Sequence, residues 1–137
     1  MKDHCEFPAF EGHRIQDNII HIKLKKVKKM TAEDVTQIYD CFEKCEGANG
    51  VYVLVSFKGY VPMSDEAMHE AKKQESQRFV RATAFVIKTA ALRVGIKFFM
   101  NFYKPKHPMN IFGKKDEAVV WLKKMKKEIT QKELSLS

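Results

Sequence analysis

The sequence predicts a single α/β domain, with a mixed, mostly parallel five-stranded sheet and about four helices packed on it. Three observations predict this. Apolar residues alternate between a strand period of two and a helical period, giving the order β-β-α-β-α-β-α-β-α. Val51–Phe57 is a nearly unbroken apolar, β-branched run, as in a strand covered on both faces. A chain of 137 residues suits one domain that removes roughly two-thirds of its unfolded surface from water. The domain is expected to span 1–137, with 1–12 and 130–137 at its periphery or partly disordered.

The first strand is expected at 13–16 and ends in an Asp17-Asn18 turn. Ile20, Ile22 and Leu24 alternate with His21, Lys23 and Lys25, so a second strand follows with one basic face. Two strands this close in sequence should pair as an antiparallel hairpin. Thr31 is placed to cap a helix, with Glu33 and Asp34 at the positive end of its dipole. Val35, Ile38, Tyr39 and Phe42 give that helix one apolar stripe, and Gly47, Asn49 and Gly50 stop it.

After the Val51–Phe57 strand, Ser64 marks the next helix, 65–74, whose stripe is only Ala67, Met68 and Ala71. A strand at 79–87 leads into a helix at 89–103, ended by Pro105 and Pro108. Asn110, Ile111 and Phe112 form a short strand. The last helix begins near Lys115, with Asp116 and Glu117 in its first turn, lysines in later turns, and Ala118, Trp121, Leu122 and Met125 as its buried stripe.

The helix at 89–103 is apolar almost all round. Ala91, Val94, Phe98 and Phe102 can face the sheet, which leaves Leu92, Ile96, Phe99 and Tyr103 as a second stripe. One sheet cannot cover both, so a homodimer contact, a partner protein, an apolar ligand or an N-terminal cover from Phe7, Pro8 and Phe10 is implied.

The C-terminal half also carries a family resemblance. Ala84-Phe85-Val86-Ile87, the helix beginning at Thr89, Lys104-Pro105 with Pro108, Ile111-Phe112 and Asp116-Glu117-Ala118-Val119-Val120-Trp121-Leu122 resemble bacterial SpoIIAA-like proteins. The resemblance implies a SpoIIAA/STAS-like fold, which CRAL-TRIO lipid-carrier domains approach. It implies a non-enzymatic protein-interaction or regulatory module, with a carrier of a small apolar or lipid-like ligand as the alternative. The sporulation members of that family switch by phosphorylation of a serine opening the second helix. Ser64 matches that place, without the family's preceding Asp and following Gly.

Other chemistry is thin. No nucleophile–base pair is legible among the five scattered histidines, and no catalytic residue, metal site or cofactor is expected. Gly47-Ala48-Asn49-Gly50 lacks the Lys and Ser/Thr of a phosphate loop. Cys41 and Cys45 share a helix face, but zinc normally takes four ligands. Three cysteines suggest no paired framework and hence a reducing, cytoplasmic setting. The net charge of +8 favours acidic partners, but no nucleic-acid recognition motif accompanies it, so specific nucleic-acid binding is not expected. Lys23, Lys25 and Lys26 read either as an anion patch on an edge strand or as charge that discourages edge-to-edge pairing. The longest apolar stretch is broken by Lys88, Arg93 and Lys97, which argues against a transmembrane segment.

Overall fold

A computed structural model describes residues 4–45, 50–75 and 80–136. In chain order the elements are β1 (His4–Glu6), β2 (Phe10–Gln16), β3 (Ile19–Leu24), α1 (Ala32–Cys45), β4 (Val51–Phe57), α2 (Asp65–Glu75), β5 (Val80–Val86), α3 (Ala90–Tyr103), β6 (Met109–Phe112) and α4 (Lys115–Leu136). Gly47 and Asn49, two of the three residues expected to stop the first helix, lie outside the described residues, as does Phe79. Gly50, which leads into β4, has φ of 80°, a backbone state that suits glycine.

The strands form one sheet in the order β1-β2-β3-β4-β5-β6. The β1–β2 and β2–β3 pairs are antiparallel, while β3–β4, β4–β5 and β5–β6 are parallel. The sheet is mixed and mostly parallel, as expected, with six strands in place of five. Each crossover from β3 to β6 steps to the next strand in the same direction. Right-handed connections therefore place α1, α2 and α3 on one face. The helix α4 follows the last strand and returns to the other face, where Ala118 and Leu122 pack on Ile19, Tyr52, Leu54, Ala82 and Ala84.

The sixth strand comes from the segment expected at the periphery. Cys5 of β1 pairs with Gly12, and β2 begins three residues earlier than expected, at Phe10. Ala9 and Phe10 are fully buried, and the Phe7 and Phe10 rings stack at 5.0 Å. This strand is three residues long and broken from β2 by Pro8, so it shows no alternation. Its place is set by its pairing with β2.

Cys5 and Cys41 are joined in a disulfide between β1 and α1, across 36 residues of sequence. Unpaired thiols had been expected, and an intrachain pair removes that ground for a reducing setting. Gly12 makes room: a Cβ there would meet the Cys5 Sγ at 3.1 Å and the Cys41 Sγ at 3.3 Å. The side chain of Cys45 lies outside the described residues. Among those described, no group of three or more His, Cys, Asp or Glu side chains could hold a metal.

Thr31 and Ser64 cap their helices as expected. Asp34 N–H donates to Thr31 Oγ1 at 3.2 Å, and Ala67 N–H donates to Ser64 Oγ at 3.0 Å. Met30 and Met63 bridge, which joins the entrances of α1 and α2. Ser64 is 7% exposed, and its hydroxyl is committed to the cap. Ser64→Ala is expected to lower stability by about 1 kcal/mol, read as a shifted urea midpoint with an unchanged slope. Residues 130–136, expected to fray, continue α4, and Arg81 pairs with Glu133 there. No described helix is long and apolar enough to cross a membrane.

Candidate functional site: an apolar cleft beneath α3

The helices α1, α2 and α3 do not close fully over their face of the sheet. Between them lies a cleft of about 360 Å³. Its floor is Ile22, Val53, Val55, Thr83 and Phe85, the inward positions of three adjacent strands. These residues alternate with those that face α4, so the period of two divides the strands between a closed core and this cleft. Ile38, Tyr39 and Phe42 form the α1 wall, and Met68 and Ala71 the α2 wall.

The cleft stays open because α3 is anchored at one end. Thr89 caps it by accepting from Leu92 N–H at 3.2 Å, and Lys104 ends it in the left-handed region at φ 48°, donating to Met100 O. Only Tyr103 of α3 is buried. Its hydroxyl donates to Ala71 O at 3.1 Å and lies 3.2 Å from the Tyr39 hydroxyl, and its ring stacks with Phe99 at 4.9 Å. Leu92 and Ile96, nearer the start of α3, remain half-buried above the cleft. The small Ala71, facing inward from α2, lines the cleft where a larger side chain would fill it.

Leu92, Ile96, Phe99 and Tyr103 are therefore brought together, but as cleft lining and not as an outer stripe. The outer face carries Val94, Phe98 and Phe102, which are 69%, 68% and 42% exposed. The assignment of the two stripes is reversed from the expected one. Both have helical spacing, and the buried hydrogen bonds of Tyr103 choose between them.

A polar pair also lines the cleft: Thr83 Oγ1 and His107 Nε2 lie 2.9 Å apart. Neither stood out in the sequence. The legible signal was Thr83, a hydroxyl inside the apolar run of β5 and on its inward phase.

The other expected sites fall elsewhere. β3 is not an edge strand, because β2 and β1 lie outside it. Lys23 pairs with Glu11 at 3.7 Å, and Lys25 with Glu6 at 3.1 Å and with Phe7 O at 2.9 Å. The hydrogen bond from Lys25, then its charge, holds the Glu6 carboxyl below its ordinary range. The stem of Lys26 lies beside Gly59. The edge reading of these lysines fails with the appearance of β1, and two of the three are held in pairs.

On the α4 face, His21 Nε2 lies 2.6 Å from Ser56 Oγ, a pairing that sequence reading missed. Its ring meets His13 edge-on at 4.9 Å. Burial first, then the charges of Lys115, His13 and Lys23, push its pKa down to about 4. That is far below the neutral range suited to a general base, and its buried Nδ1 has no hydrogen-bond partner to orient it.

Residues 13–126 match the model of a family described as a domain of unknown function, DUF7793. The chain belongs to the DUF7793 family. The DUF7793 domain is also similar to a solved structure from Shewanella loihica PV-4, an uncharacterised protein of the DUF3478 family with a SpoIIAA-like fold. The two share 19% identity with a TM-score of 0.57, over 83% of this chain and 92% of that one. This likeness shows the SpoIIAA-like fold that the C-terminal motifs had implied, and it shows the fold alone. Among curated proteins nothing matches the chain.

Proposed function

We propose that this DUF7793 domain is a non-enzymatic binding module that takes one small apolar or amphiphilic molecule into the cleft beneath α3. The cleft itself carries the reading. Its volume of about 360 Å³ lies within the usual range for small-molecule sites, and its lining is mostly aliphatic and aromatic with few polar groups. Thr83 and His107 are placed to meet a polar group on an otherwise apolar ligand. The low pKa of His21 supports a structural role for the His21–Ser56 pair. A protein or homodimer contact through Leu92, Ile96, Phe99 and Tyr103 is less well supported, because these side chains point into the cleft.

Titration with a fluorescent fatty-acid analogue is expected to saturate at one molecule per chain. Val55→Trp, which fills the cleft from its floor, is expected to weaken that binding at least tenfold while the circular dichroism spectrum is kept. Native mass spectrometry of protein purified from its own cells should show a bound small molecule. Absence of saturable binding across apolar ligands of graded length, with empty native spectra, would sink the proposal.

A further inference from the structure

We infer that the outer face of α3 docks on an anionic lipid surface. The inference extends the cleft proposal by naming the surface at which an apolar ligand would enter or leave. Its geometry is independent of that proposal.

Val94, Phe98 and Phe102 follow one another at a spacing of four, so they stand in a row on one side of the helix. All three are exposed, a concentration of large apolar groups that proteins seldom leave in water without a use. Phe98 also borders the cleft, so the row runs past its mouth.

The surroundings of the row are basic. The sequence contains no Asp or Glu between Glu75 and Asp116. Lys88, Lys97, Lys104 and Lys106 are exposed on or beside α3. From α2, exposed Lys72 reaches over Phe102 with its Nζ 6.0 Å from the ring centre, and His69 meets the same ring edge-on. A row of apolar side chains rimmed by cations fits the boundary between acyl chains and anionic headgroups. Apolar groups enter the former and lysines meet the latter. A symmetric contact between two copies would instead set the lysines of this rim against one another, and α3 itself carries no acid to offset them. The protein's net charge of +8 acts in the same direction by attracting it to anionic surfaces.

The test is co-sedimentation of the full chain with phosphatidylcholine vesicles, with and without phosphatidylglycerol. Binding is expected only when phosphatidylglycerol is present, and it should weaken as salt is raised. Val94→Ser with Phe102→Ser is expected to weaken vesicle binding at least tenfold. Lys97→Glu with Lys104→Glu should weaken it similarly and remove most of its salt dependence. None of these four residues lines the cleft, so the fatty-acid titration of both variants should match the parent protein. No binding to the anionic vesicles would overturn the inference, as would binding unchanged by either pair of substitutions. So would a dimer by light scattering that Val94→Ser with Phe102→Ser dissociates, since it would assign the face to a second copy. Loss of ligand binding with vesicle binding intact would instead count against the cleft proposal alone.

Discussion

Cys41→Ser is expected to destabilise the protein by about 4 kcal/mol, the entropy released when a cross-link across 36 residues is removed from the unfolded chain. The effect should be large because β1 is only three residues long and pairs with β2 alone. Without the link, three residues of pairing, the packing of Phe7 and Phe10 and the Lys25 contacts with Glu6 and Phe7 O hold the N-terminal segment over Gly12. In a domain of 137 residues the change corresponds to roughly 14 °C in melting temperature. A reductant should produce a similar fall in the parent protein and no further fall in Cys41→Ser. Thiol titration of the denatured, unreduced protein should find one reactive thiol of the three cysteines. Three thiols per chain, with melting insensitive to reductant, would show that the pair does not form.

The second large effect is a loss of stability in mild acid. His21 is 4% exposed, and its pKa falls to about 4 from an ordinary value near 6.5. Above about pH 6.5 the imidazole is neutral in both folded and unfolded chains, and the stability is fully present. Between pH 6.5 and 4 the unfolded chain takes up a proton that the folded chain refuses, so stability falls with pH. The total is about 3 kcal/mol by pH 4. His13 is shifted in the same direction, by burial first and then by Lys115, Lys23 and His4, and adds to the loss. Urea unfolding at a series of pH values is expected to show this slope, and His21→Gln is expected to flatten it. An equal slope in the variant would place the acid sensitivity elsewhere.

The alternation of β2 to β6 with α1 to α4 was legible because each element carries a long periodic pattern or a clear cap. Val51–Phe57 coincides with its expected bounds, and Thr89, Ser64 and Lys115 mark helix starts where expected. The strand β1 was not legible, since three residues hold no period, and the Cys5–Cys41 link joins positions that only folding brings together. The His21–Ser56 pair was hidden for the same reason. Its members lie 35 residues apart on β3 and β4, whose parallel register puts them on one face.

The sequence by itself determined that this is an α/β domain and that one helix carries two apolar faces. Only the tertiary structure decided which face turns inward. Hydrophobic periodicity records how much of a helix shuns water but not which neighbour shields it. The choice rests on long-range contacts: Tyr103 reaches Ala71 and Tyr39. That anchors α3 over the sheet with Leu92 and Ile96 above a cleft, and leaves Val94, Phe98 and Phe102 outside.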